Sequence, residues 1–333
     1  QDYNIPAVTY DLLNNEVFTS ASFKPFTIQT LTGTKSFNYG SLIIPLSVQK
    51  KLNSDELYEK MKSIQKKYDV NIYSVESGLS SSGVDLGSGY VMPLNKPSAM
   101  MLIGTGVRSY EAGEVWHLLD QRVGMPITKV PMRNFDNISM DKYNVLVLVS
   151  GNYKFSDNQI EKIKTWAENG NTIISIGSGS KLLIDKKIVD ENLLEKEESN
   201  AMNYLAYGDA RENRGKEQIG GVILNSIIDL SHPLAFGYEN NTLPLYKNNS
   251  IWLKPSKNNY SSVVRYSENS LIDGFLSENN KAKIKESVSL VVSRVGRGIA
   301  VMFADNPNFR GAWYGTNRLF LNAILLGDKI YIP

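Results

Sequence analysis

The chain contains no cysteine. That removes disulfides, thiolate metal sites and thiol nucleophiles together. It leaves compartment open, because disulfide-free proteins occur inside and outside cells. Histidine is nearly as scarce, with 2 among 333 residues, so a site built from three histidines is impossible. Neither sign of charge dominates: 36 basic residues face 34 acidic ones, and the formal net charge is +2. Such a balance supplies no long-range attraction to nucleic acid or to an anionic membrane. No basic stripe or recognisable nucleic-acid motif offsets this. No apolar run approaches the roughly 18 residues of a membrane span. The sequence starts Gln1-Asp2-Tyr3 without an initiator Met, as a processed or cut form would.

What is present is a large apolar fraction, 42%, enough for a substantial core in one or two domains. Residues 1–94 read as an N-terminal extension. It holds short extended pieces at Ser22-Phe23 and 26–30, and a buried strand at 41–45. A helix over 54–67 follows, capped by Asn53 or Ser54, and then a strand at 70–75. The Gly- and Ser-rich run 76–89 is a loop. Residues 95–333 read as an α/β domain. Strands are expected at 99–104, 127–130, 145–149 and 172–177, with helices over 110–121 and 157–168 between them. This alternation predicts a doubly wound, mostly parallel sheet covered on both faces. The charged stretch 185–218 reads as a helix or surface excursion. Strands are expected again at 250–253, 262–266, 289–293 and 299–304. Thr316 is expected to cap a last helix over 317–326, closed by Gly327.

Several short constellations invite chemical readings. Gly104-Thr105-Gly106 follows a strand and precedes a helix, so it is either a tight turn or a loop that places N–H groups around an anion. It lacks the full dinucleotide spacing and the Lys-Ser or Lys-Thr of a phosphate loop. His117 and Asp120 share a helix face, but no third ligand stands near, and His117 reads as a packed polar residue. Gly177-Ser178-Gly179-Ser180-Lys181 sits where a strand turns into a helix, the place of a nucleophile elbow. Ser178 is a weak nucleophile candidate whose base would have to be His232, oriented by Asp229. A tight turn with helix capping is the simpler reading. In the loop 305–314, Arg310 is expected to be buried against carbonyls or a carboxylate beside Trp313 and Tyr314, with Asp305 and Asn308 holding the loop.

The stretch Gly106-Val107-Arg108-Ser109-Tyr110-Glu111-Ala112-Gly113-Glu114-Val115-Trp116-His117-Leu118-Leu119-Asp120 resembles the region behind the catalytic domain of large bacterial M14-type zinc carboxypeptidases, common in Bacteroidetes. So do 78–87 and the tail from Ala304 through Gly311 to Asn322. The resemblance spans roughly residues 40–327. It implies a class I glutamine-amidotransferase-like, flavodoxin-like module of an exported (periplasmic or extracellular) protein, with a peptidase domain as its missing or separate partner. The zinc ligands of such a peptidase, His-x-x-Glu and a later His, are absent here. In the amidotransferase pattern Gly177 falls on the nucleophile position.

The resulting expectation is a non-catalytic accessory or binding module without cofactor or metal, taking a peptide or glycan. The alternatives are a serine hydrolase using Ser178 and a small-ligand or glycan-binding domain. Contacts to ligand or partner are expected from Gly104, Gly106, Arg108, Tyr110, Glu111, His117, Gly177, Ser180, Asn308, Arg310, Trp313 and Tyr314. Metal analysis of dialysed protein should find no stoichiometric zinc. One tightly held zinc per chain would overturn that.

Overall fold

The computed structural model describes residues 3–194 and 206–333. The chain opens with helix α1 (Ile5–Asn14), where the sequence suggests only extended pieces. Pro6 sits in its first turn, where a missing N–H costs nothing. Seven of its ten residues are buried, which leaves Ile5, Asp11 and Asn14 for its less buried side. Four short strands follow: β1 (Ser20–Ser22), β2 (Phe26–Thr30), β3 (Gly33–Phe37) and β4 (Leu42–Ile43). The strand expected at 41–45 shrinks to the two half-buried residues of β4.

Helix α2 (Ser54–Tyr68) has the expected start. Asn53 Oδ1 accepts from the N–H groups of Asp55 and Glu56, both at 3.0 Å, and Glu56 Oε2 accepts from Asn53 N at 2.9 Å. Asp11 of α1 ties the two helices together, accepting from Lys60 Nζ, Lys67 Nζ and Tyr68 Oη at 2.9, 2.9 and 2.8 Å. Burial pushes the Asp11 carboxyl up, but these three donors outweigh it and hold the pKa at about 2. The expected strand at 70–75 does not form. One edge of β2 is taken by β3, and on the other β5 (Ser82–Gly83) pairs with Phe26 and Thr27, while 70–75 forms no ladder. It is tied instead by single bonds such as Leu31 N to Ser74 O, 3.1 Å. With β6 (Val91–Pro93), these strands make two three-stranded antiparallel sheets, ordered β4-β1-β6 and β3-β2-β5.

The main sheet then builds from β7 (Ala99–Ile103), helix α3 (Ser109–His117), β8 (Thr128–Pro131), β9 (Val145–Leu148), α4 (Asp157–Glu168), β10 (Thr172–Ile176) and α5 (Ser178–Asp185). Helix α3 runs on through a wider turn over Leu118–Val123 and stops at Gly124, whose φ is +71°. Beyond lie α6 (Ala210–Lys216), β11 (Val222–Ile228), β12 (Thr242–Lys247), β13 (Ser262–Asp273), α7 (Glu278–Lys285), β14 (Val288–Val295), β15 (Gly298–Phe303) and α8 (Asn317–Leu326). The excursion expected at 185–218 contains α6, and its stretch 195–205 lies outside the described residues.

The nine strands lie in the order β12-β11-β13-β14-β15-β10-β9-β7-β8. Strands β8, β7, β9, β10 and β15 are parallel, and β14, β13, β11 and β12 extend them antiparallel. The expected doubly wound α/β fold is therefore present. Numbered along the chain, its five parallel strands read 2-1-3-4-5, the flavodoxin-like order, with the switch point between β7 and β9.

Alternate residues face opposite ways. Met101, Val147, Ile174 and Val301 pack with α1, α3 and α8, while Met100, Leu146, Ile173 and Ala300 pack with α4 and α5. The strand expected at 250–253 is absent, and only Leu253 bridges, to Leu193 and Val288. Gly327 does not stop α8 with a left-handed residue, since its φ is −54°. It is needed for close approach, because a Cβ there would lie 2.7 Å from Thr172 Oγ1. Thr316 does not cap α8 either: its hydroxyl donates to Pro307 O at 2.6 Å. Among the described residues no helix is long and apolar enough to cross a membrane.

Asn53→Ala removes the acceptor of two N–H groups and should cost about 1 kcal/mol. Ser54→Ala, at an exposed first-turn position, should change stability by less than about 0.5 kcal/mol. Urea unfolding of the two variants checks this. Equal losses would mean that Asn53 is not the cap.

Candidate functional site

In sheets of this order ligands bind outside the carboxyl ends of the strands, at the switch point. Here that crevice is filled by backbone. After β7 the chain turns through Gly104 and Gly106, at φ +92° and +84°. It then lies against the end of β9: Asn152 N donates to Gly106 O at 2.6 Å, and Arg108 N donates to Ser150 O at 2.9 Å. A Cβ on Gly106 would sit 2.6 Å from Asn152 O, and one on Gly151 would sit 2.5 Å from Gly106 O. Glycine on both sides makes the approach possible. Of the two readings of Gly104-Thr105-Gly106, the geometry is that of a tight turn.

The remaining N–H groups at the β9 end are occupied by side chains. Glu111, buried in the first turn of α3, accepts from Ser150 N through Oε2 at 2.8 Å. Its Oε1 meets Arg108 Nη1 at 3.3 Å, while the Arg108 side chain is largely exposed. Ser178 Oγ accepts from Gly151 N at 2.8 Å and donates to Gly151 O at 3.0 Å. Ser180 is fully buried, its hydroxyl donating to Phe303 O at 2.9 Å and pairing with Ser175 Oγ, also at 2.9 Å. Tyr110, beside them, is 84% exposed.

Gly177 is the apex of the turn from β10 to α5, with φ 55° and ψ −118°. A side chain there would collide with Ser150 Oγ. The strand-to-helix elbow is thus present in backbone form, with the space for its side chain taken by Ser150. Ser178 and His232 are not brought together. Ser178 begins α5 on one face of the sheet, and the His232 loop packs against α8 on the other, where Asn322 Nδ2 donates to Leu234 O and Phe236 O, both at 2.9 Å. His232 Nδ1 accepts from Leu234 N at 3.2 Å, and burial lowers its pKa to about 4. Asp229, the expected orienter, accepts from Ser231 N and Oγ at 2.9 and 2.7 Å instead.

The 305–314 loop corrects the expectation for Arg310. Its side chain is exposed, with the guanidinium 5.3 Å from the Phe309 ring and no stacking on Trp313. Its backbone is the anchored part: φ is +52°, and its N–H donates to Glu114 Oε1 at 2.6 Å. Glu114 Oε2 accepts from Asn306 Nδ2 at 2.5 Å. Burial raises the Glu114 pKa, partly offset by these two bonds. His117 is exposed beside this loop, rather than packed as expected. Asn308 is buried, donates from its backbone to Asn306 Oδ1 at 2.9 Å, and its amide nitrogen has no partner among the described residues. Trp313 Nε1 donates to Pro244 O at 3.3 Å, and Phe309 stacks on Tyr246 at 3.8 Å. Tyr314 is half exposed and lies under the Arg122 guanidinium at 4.1 Å.

Behind the loop lies a buried polar cluster that sequence reading missed. Asp305 accepts from Lys247 Nζ at 3.0 Å, Tyr266 Oη at 2.5 Å and Ser289 Oγ at 2.7 Å. Lys247 is fully buried, 4.4 Å from the Trp252 ring, and burial lowers its pKa against the pull of Asp305. Nothing near Lys247 in the sequence marks it. Glu114 was missed as well, although its place three residues from Glu111 on the same helix face is a signal that could have marked it. Among the described residues no group of three or more His, Asp or Glu is placed to hold a metal.

A large hollow among the described residues lies elsewhere. It measures about 730 Å³ and opens between α1, α2, the β2–β3 hairpin and the end of α8. Val8, Leu12, Phe37, Leu57, Met61 and Leu325 are among its walls.

By sequence the chain matches no known family and no curated protein. By fold it is similar to PurLQS from Thermotoga maritima, at 15% identity and TM-score 0.43, over 68% of this chain and 96% of that one. A protein described as ThuA-like from Parabacteroides merdae is similar at 14% identity and TM-score 0.46, over 70% and 90%. A glutamine amidotransferase from Thermotoga maritima is similar at 10% identity and TM-score 0.37, over 63% and 76%. At these scores nothing about activity follows.

Gly106→Ala meets both the left-handed backbone and the Asn152 carbonyl, whereas Gly104→Ala meets only the backbone, with no atom within 4 Å. Gly104→Ala should cost about 1 kcal/mol, and Gly106→Ala clearly more. Equal losses in thermal unfolding would mean that the two loops do not touch.

Proposed function

We propose that the chain is a non-catalytic binding and accessory module of an exported M14-like carboxypeptidase, packing against a peptidase domain or presenting peptide or glycan to it. The observation that carries the non-catalytic part is the state of the carboxyl-end rim. The elbow apex is Gly177, and Ser178 is bonded both ways to Gly151. The N–H of Ser150 is held by the Glu111 carboxylate. A hydroxyl nucleophile needs a base within about 2.6–3.2 Å and free N–H donors for the oxyanion. Ser178 has neither. The link to M14 peptidases, and with it export, rests on the sequence of 106–120, 78–87 and 304–322.

Peptide, ester and glutamine substrates, assayed with wild type and Ser178→Ala, should show no turnover in either. Turnover in wild type that vanishes in Ser178→Ala would overturn the non-catalytic reading. Calorimetric titration against an M14-type peptidase domain encoded with the chain should show saturable binding, and no heat would refute the accessory role.

A further inference from the structure

The hollow of the N-terminal part has the make-up of a ligand site. Its volume, about 730 Å³, lies within the roughly 300–1,000 Å³ usual for small-molecule pockets. Its floor is apolar. Val8, Leu12, Leu57 and Ile64 form one buried cluster there, and Leu325 and Phe236 close the end toward α8. Its mouth keeps large apolar side chains in water: Leu46 is 71% exposed, Tyr58 58%, and Ile72, Tyr73 and Val75 about a third each. Single exposed apolar residues are ordinary, but a group of them around one opening marks an interaction site.

Charge sets the class of ligand. Among the described residues that line the hollow, no carboxylate appears, and the charged ones are Lys62 and Arg318. Lys62 stands at the outer surface of α2, its ammonium 4.2 Å from the Tyr58 ring centre, with Glu59 at 3.6 Å as its ion-pair partner. Arg318 lies at the α8 end. The walls thus offer apolar surface for a chain and positive charge for one end of it. Long cationic side chains are suited to this, because their stems cover apolar surface while the charge stays at the rim.

Resting on the binding-module reading, we infer that this hollow takes a monomeric single-chain anionic amphiphile, a long-chain fatty acid, with its acyl chain between α1 and α2 and its carboxylate toward Lys62. This site is separate from the carboxyl-end rim, and no covalent step is involved.

The probe is oleate, titrated below its micelle concentration into the full chain by calorimetry, with sedimentation run in parallel. The expected result is one saturable site per monomer. Lys62→Glu should weaken it about fivefold, the scale of a partly exposed charge pair. Met61→Trp, which fills the hollow from α2, should weaken it more than tenfold. Should that variant fail to fold, Ile72→Asp at the exposed mouth should give the same direction of change. Oleyl alcohol should bind more weakly than oleate.

Four results would overturn the inference: no saturable oleate binding, binding indifferent to both apolar-site variants, equal binding of the alcohol, or association only with phosphatidylglycerol vesicles. Sedimentation as a dimer that excludes oleate would do the same, by assigning the face to a second copy. Turnover in the substrate assays would defeat the non-catalytic reading and leave this site standing. Silence in both experiments would defeat this inference alone.

Discussion

At the switch point of the sheet two loops meet backbone to backbone, and much of the molecule's character follows from that contact. The turn after β7 and the end of β9 approach closely enough that Gly106 and Gly151 cannot carry a Cβ. Their hydrogen bonds join what an open flavodoxin-like sheet leaves as a crevice. Once the loops are joined, the N–H groups of Ser150 and Gly151 point at neighbours, and Glu111 and Ser178 accept from them. A buried N–H needs a partner. In this chain the partners are side chains of the fold, which stand where a ligand's oxygen would otherwise be received.

The same economy of polar groups organises the antiparallel half. Strands β12, β13 and β14 each send one side chain to Asp305: Lys247, Tyr266 and Ser289. A buried ion pair contributes little net stability, because desolvation offsets the attraction, but removing one partner leaves a costly uncompensated charge. The cluster thus ties the loop after β15 to three strands, alongside the bonds from Ala304 N to Ser289 O and from Trp313 Nε1 to Pro244 O. That loop in turn carries Asn306 and the Arg310 N–H to Glu114, so the antiparallel extension is linked to α3 and to the switch point.

The parallel half was legible in the sequence because its signals are local and redundant. Strands β7 and β10 are apolar runs closed by glycine, β9 is an unbroken run of Val and Leu, and α2 and α4 begin with full capping boxes. Helix α1 was missed: with seven of its ten residues buried, only a few polar positions mark its outer side. Residues 70–75 have strand-forming composition, but a strand needs a ladder, and they are tied at the end of β2 by the bond from Leu31 N to Ser74 O. At the rim, Gly177 stands at the turn from β10 into α5. Arg310 was misplaced: its residue type suggested a buried guanidinium, while the anchored atom is its backbone nitrogen, which every residue except proline carries. Lys247 and Asp305 lie 58 positions apart, and no spacing rule connects them.

The switch-point crevice is closed by main chain, with the N–H groups of Arg108, Ser150, Gly151 and Asn152 all bonded. Native-state amide hydrogen exchange reads this at the atoms concerned. The account predicts that the amides of Arg108, Ser150, Gly151 and Asn152 exchange as slowly as those of β9, since opening them requires parting the two loops. Exchange of these four at the rate of a free surface loop, with β9 still protected, would contradict it.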